Sequence, residues 1–117
     1  MRSGTPFEAG ELVLIPFPFS DLSGLKQRPV LVLSDSAYNR RSRDFIVCGV
    51  TSNLKYRGHS VELDSSGLLS GTMPVKSLIK VDKLFTLEQS LARKRFSRIK
   101  PEILALVRTE LRGVLGL

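Results

Sequence analysis

Apolar residues recur in short blocks of two-residue period through most of the chain, and with three- and four-residue spacing only at its end. "ELVLIPF", Glu11 to Phe17, is short and rich in Val and Ile, which predicts a strand. Pro16 and Pro18 are expected to end it, because a proline has no N–H to give a sheet ladder and belongs outside the sheet or on an edge. "RPVLVLSD" predicts a second strand. "DFIVCGVTSN" predicts a third, its nearly unbroken apolar run pointing to burial on both faces. Between them, "SAYNRRSRD" leaves room for one helical turn. "SVELD" alternates Val61 and Leu63 with Glu62 and Asp64, the mark of one wet face. "PVKSLIKVDKLF" fits one or two bent strands, "TLEQSLARK" a short helix, and "RFSRI" a last strand.

The closing segment "KPEILALVRTELRGVLGL" predicts a helix on several grounds. Pro101 suits a first helical position and Glu102 the positive end of the helix dipole. Ile103, Leu104, Val107, Leu111, Val114 and Leu115 fall on one face, which should pack on the sheet, while Leu106 falls off it. Strands first and one good helix last is the order of a small antiparallel sheet or barrel with a helix packed against it. The polar residues 1–9 read as a flexible lead, and 10–117 as a single domain.

Composition narrows the field. The 117 residues are 42% hydrophobic, enough for a single core and too few for a second domain. No apolar run approaches the roughly 20 residues that span a bilayer, and "MRSGTPFEAG" has no apolar signal core, so a cytoplasmic chain without membrane contact is expected. Cys48 is the one cysteine, inside "FIVCGV", which excludes an internal disulfide and paired-cysteine zinc sites. Lys and Arg total 18 against 11 Asp and Glu, a net charge of +7. That excess favours a polyanion such as a phosphate backbone, although solubility or an acidic protein partner would also account for it.

Few residues stand out chemically. The carboxylates are scattered, with no metal-binding or glycosidase spacing, and neither Ser23–Leu25 nor Ser66–Leu68 forms a P-loop. His59 is the one imidazole. Its ordinary pKa of about 6.5 would suit proton transfer, against the plainer reading of a surface residue at a strand start. Arg28 enters a strand directly before Pro29, which biases it to an extended backbone and so fixes the side chain's direction. Thr51 ends the buried strand, where a hydroxyl emerges into a polar turn. If the two strand ends meet, a guanidinium able to fork onto a phosphate and a hydroxyl would face one pocket. From spacing alone, a surface arginine and a strand-capping threonine fit as well.

"GELVLIPFPFSDLSGLKQRPVLVLSD", then "VTSN", "VKSLIKVDKLFTL" and the closing helix resemble, in order and spacing, the PemK/MazF toxin family. The resemblance runs from Gly10 to the C-terminus. It implies an SH3-like small antiparallel barrel with a C-terminal helix, a homodimer, a cognate antitoxin as protein partner, and a cofactor-free endoribonuclease acting on single-stranded RNA without a metal. It assigns cleavage to Arg28 and Thr51, and makes "DLSGLKQ" the loop that closes over RNA and responds to the antitoxin. The residues around these strand ends, Lys26, Gln27, Ser52, Asn53, Lys55, Arg57 and His59, are then expected to contact RNA, with Ser77 bordering the site. Phe17, Phe19 or Tyr56 would be available to stack on bases, core packing being the competing role for each. The basic run "ARKRFSRIK" is either a second RNA contact or a solvated face. Two other functions remain on the table: a noncatalytic nucleic-acid- or protein-binding barrel, and a gyrase-poisoning toxin of the CcdB type, which rests on fold kinship alone.

Overall fold

A computed structural model describes residues 5–18 and 25–117. Six strands and two helices follow in the order β1 (Glu11–Pro18), β2 (Leu25–Val32), α1 (Ser36–Arg41), β3 (Asp44–Thr51), β4 (Ser60–Leu63), β5 (Ser77–Glu88), β6 (Lys94–Arg98) and α2 (Pro101–Leu115). The strands form one antiparallel sheet ordered β4-β5-β3-β2-β1-β6. Its two edges approach each other where Leu68, just past β4, bridges Ile99, just past β6. Leu69 N–H donates to Arg98 O and Lys100 N–H to Gly67 O, both at 2.8 Å, so the sheet curls into a barrel.

Alternation along the strands sorts the core into two clusters. Leu12, Leu31, Cys48, Val50, Leu63, Ile79, Val81 and Val107 fill the interior under α2. Val13, Ile15, Val30, Val32, Phe45 and Val47 fill the other face. β3 is therefore buried on both sides, as its apolar run predicts. Phe7 packs into the second cluster with its ring centroid 5.0 Å from that of Phe45, and the Arg95 guanidinium lies 4.1 Å over it. The lead read as flexible is thus, from Thr5 onward, part of the packed structure. The buried Asn39 ties it down, its amide donating to Phe7 O and Ser34 O.

Most strand limits shift from the sequence reading, and the larger departures concern β1, β2 and one helix. β1 runs to Pro18, one residue past the expected limit at Phe17, and keeps both prolines that were expected to end it within the strand. Leu14 O accepts from Arg93 N–H on the β6 side, so Pro16 and Pro18, at the same parity, present their missing N–H groups to that side, beyond the last β6 pair at Leu14. β2 begins at Leu25 and takes in the last three residues assigned to the loop. Phe19 and the loop positions Asp21, Leu22, Ser23 and Gly24 lie outside the described residues, as does the Phe17 side chain. "TLEQSLARK" is not a helix: β5 continues through Glu88, pairing Thr86 with Ile46 and Leu87 with Phe45, and only a 3-10 turn at Gln89–Leu91 follows. Buried Gln89 makes the turn, its amide donating to the carbonyls of Asn39, Ser42 and Asp44.

β5 is the single bent strand anticipated as one of two options. Cys48 pairs with Leu84 but Gly49 with Lys80, so Val81, Asp82 and Lys83 form an irregularity that re-aims the strand. Helix α2 starts with Pro101 and ends on Gly116 at φ 72°, a left-handed cap that glycine adopts without strain. Val107 is fully buried, and Leu106, off the apolar face, is exposed.

Candidate functional site

Register, rather than proximity in sequence, brings the site together. β2 and β3 pair Val30 with Gly49, Leu31 with Cys48 and Val32 with Val47. Carried two residues further, the same register sets Arg28 opposite Thr51, on the face that holds Val30 and Val47 in the core. From Val32 through Val30 to Arg28, and from Phe45 through Val47 and Gly49 to Thr51, one face passes from apolar packing to polar chemistry. β5 adds Lys80 beside Gly49 and Leu78 beside Thr51.

Two cavities, of about 300 and 340 Å3, both take Arg28, Pro29, Val50 and Thr51 into their walls and form the two lobes of the candidate site. One lobe adds Gly49, Lys80 and Phe85. The other adds Ser52, Ser77, the Met73–Val75 segment and Phe96. Arg28 is exposed and Thr51 half-buried. The Thr51 hydroxyl oxygen accepts from Asn53 N–H at 3.1 Å, which fixes the oxygen and leaves its own proton to donate into the groove. Asn53 in turn accepts from Lys55 N–H at 3.0 Å, so the turn after β3 is held by its own side chains.

The residues named from sequence divide. Arg28, Thr51, Ser52 and Ser77 line the groove together. Lys26, Gln27, Asn53 and Lys55 are exposed and line neither lobe. Arg57 and His59 line a separate, shallower depression with Glu110 of α2, and His59 Nδ1 lies 2.7 Å from the Glu110 carboxylate. His59 therefore faces the helix. In the basic run, Arg95 and Arg98 are taken up by Glu11 and Glu8 and so stitch β6 to the start of β1 and to the lead. Among the described residues, no group of three or more His, Cys, Asp or Glu is placed to hold a metal.

Lys80 and Phe85 were not anticipated. The signal for Lys80 is Gly49, a glycine inside an apolar strand, which marks close approach by a neighbour. A Cβ there would stand 3.0 Å from Lys80 Cε and 3.5 Å from its Nζ, so the lysine lies across the glycine on the groove floor. The ammonium also sits 5.5 Å from the centroid of the Tyr56 ring. Tyr56 donates its hydroxyl to Asp82 at 2.5 Å. Partial burial, that hydrogen bond and the carboxylate's charge push the Tyr56 phenol up to about 12, while the same bond holds Asp82 below the ordinary carboxylate range. Cys48, on the opposite face, is pushed up to about 12 by burial, against a smaller opposing pull from Lys80, and is an inert core thiol.

The sequence matches the PemK-like, MazF-like toxin of type II toxin-antitoxin system family over residues 8–115. Among solved structures, MazF (Form-I) from Deinococcus radiodurans superposes with a TM-score of 0.71 at 28% identity, covering 97% of this chain and 100% of that one. The MazE-MazF (Form-II) structure from the same organism gives 0.78 at 30% identity, over 97% and 99%. An endoribonuclease in complex with its cognate antitoxin, from a Mycobacterial species, shares the fold with a TM-score of 0.71 at 20% identity, over 94% and 95%. No curated protein sequence matches the chain significantly.

Proposed function

The chain belongs to the PemK-like, MazF-like toxin family of type II toxin-antitoxin systems, and from that premise we propose that it is an endoribonuclease that cuts single-stranded RNA without a metal. The observation that carries this reading is the shared groove of Arg28 and Thr51. RNA brings its own nucleophile, so the protein has only to orient the ribose and stabilise charge on the phosphate. The 2′-oxygen attacks the adjacent phosphorus, and the P–O5′ bond breaks. The 2′-proton is lost and one is delivered to the departing 5′-oxygen, which leaves a 2′,3′-cyclic phosphate and a 5′-hydroxyl. Arg28 forks onto the non-bridging oxygens, where charge grows in the transition state. Thr51 donates its hydroxyl proton to the same phosphate, its oxygen being held by Asn53 N–H. DNA lacks the nucleophile and is spared.

The remaining groove residues, Ser52 and Ser77, border the ribose-phosphate path, and Lys26, Gln27, Asn53 and Lys55 are exposed to a strand running past it. Arg57 and His59, displaced toward α2, would meet RNA only at its periphery. The partners of this reading are single-stranded RNA, a second copy of the chain and a cognate antitoxin, the last suggested by the MazE-MazF and endoribonuclease–antitoxin structures. Among the described residues no helix is long and apolar enough to cross a membrane, and a cytoplasmic site of action follows from an RNA substrate.

The test is incubation of the purified protein with an unstructured RNA in EDTA, with the ends of the products mapped. Cyclic-phosphate ends that disappear in Arg28→Ala, while its thermal unfolding is unchanged, support the reading. Intact RNA with salt-sensitive binding would replace cleavage by a binding function.

A further inference from the structure

Among the described residues, Lys80 is the one ammonium on the wall of the lobe that Arg28 and Thr51 share with Gly49 and Phe85. Three features give it a defined place there. Gly49 has no side chain, and Lys80 packs over it so closely that a Cβ there would stand 3.0 Å from Lys80 Cε and in van der Waals contact with Nζ. The Tyr56 ring lies beside the ammonium at 5.5 Å, a cation–π distance. Asp82, two residues along β5, holds that ring by accepting the Tyr56 hydroxyl at 2.5 Å. Gly58 permits the arrangement, since a Cβ there would collide with both the Tyr56 hydroxyl and the Asp82 carboxylate.

The nearby carboxylate is thus committed to the phenol, and among the described residues no carboxylate forms an ion pair with Lys80. An ammonium that is partly desolvated, placed by its neighbours and turned toward a basic groove is organised for an anion. We propose that Lys80 binds an RNA phosphate next to the one engaged by Arg28, with Tyr56 and Asp82 as the positioning residues that hold it over Gly49; this rests on the ribonuclease reading. The β3–β5 pairing puts Lys80 beside Gly49, two residues along β3 from Thr51, a step of about 7 Å, close to the spacing of successive phosphates in an extended single strand. A lysine suits that role. It offers a point charge to a phosphate that only has to be held, whereas the reacting phosphate takes the bidentate arginine.

The experiment uses the full chain and a fully 2′-O-methylated single-stranded oligoribonucleotide, which keeps every phosphate and cannot be cut. Lys80→Gln is expected to weaken binding roughly tenfold, the scale of one charge-assisted hydrogen bond. The dependence of log Kd on log salt should become shallower by about 0.7, one single-strand phosphate contact. Lys80→Arg should recover most of both. On cleavable RNA the loss should appear in KM, with kcat within about threefold of the parent. Tyr56→Phe, which keeps the ring and removes the bond to Asp82, should weaken binding two- to threefold, about 0.4–0.7 kcal/mol, and add nothing in the Lys80→Gln background.

Unchanged affinity and salt slope in a folded Lys80→Gln protein would overturn the assignment, including the case in which the variant loses only an acidic peptide ligand. Additive losses for Tyr56→Phe and Lys80→Gln would remove the positioning role. Should Arg28→Ala still abolish cleavage while Lys80→Gln is silent, the ribonuclease reading stands without this contact. A parent protein that leaves cleavable RNA intact removes that reading itself.

Discussion

The inner and outer halves of β2 and β3 occupy the same strands and face, yet obey different rules. In the inner half, Val30, Val32, Val47 and Phe45 are fully buried, and Phe7 covers them. In the outer half, Arg28 and Thr51 stand where the next pairs of the same register would lie, with Lys80 drawn across Gly49. The inner pairs make the register costly to change, because a one-residue slip would turn every core side chain to the wrong face. That rigidity aims the outer side chains. Packing supplies geometry, and the outer residues spend it on chemistry.

The division can be broken from either end. Phe45→Ala should lower stability by about 3–5 kcal/mol, read as a shift of the denaturant midpoint, and any activity lost should follow the unfolded fraction. Arg28→Ala should do the reverse: cleavage should fall about a hundred- to a thousandfold with unfolding changed by less than about 0.5 kcal/mol. Arg28→Lys should restore little of it, since a point charge does not replace a fork. A large loss of stability in Arg28→Ala would collapse the distinction. Thr51→Ala should slow cleavage by roughly tenfold to a hundredfold, and Thr51→Ser should keep most of the rate, because the lost element is a hydroxyl.

The smallest effect concerns the brace beside the groove. Tyr56 ionises near 12 instead of 10 in the folded chain, so the stability it contributes is fully present below pH 10 and is lost as the pH rises toward 12. Asp82→Asn removes the carboxylate, and an ultraviolet titration should then find Tyr56 shifted down toward its ordinary value, though not all the way, because partial burial remains. Asp82 has the opposite sign. Its pKa is depressed on folding, so its contribution is present above the ordinary carboxylate range and is lost on acidification through the lowered value.

Much of this layout is legible in the residues. The Val- and Ile-rich blocks give the strands, the 3.6-residue period of Ile103, Leu104, Val107 and Leu111 gives α2, and Pro29 behind Arg28 marks a side chain with a set direction. "TLEQSLARK" misled because its polar spacing satisfies a helix, while the deciding fact, Thr86 and Leu87 pairing with β3, is forty residues away in sequence. Phe7 looked like part of a polar lead for the same reason: its partner Phe45 is distant. Lys80 was one of several lysines on an alternating strand until the irregularity at Val81–Lys83 and the bare Gly49 gave it a place. Local patterns report what a residue prefers, and they are silent on which distant strand it meets.

The prolines of β1 have a further bearing on how anything attaches to this molecule. Beyond Leu14 the outer rim of β1 offers no amide hydrogens at positions 16 and 18. Another backbone cannot zip onto that rim, which guards against filament-like stacking of sheets and also denies the simplest docking route to a flexible peptide. A ligand passing these two positions meets no main-chain donor there, and sequence changes elsewhere could retune its recognition without the risk of runaway self-assembly.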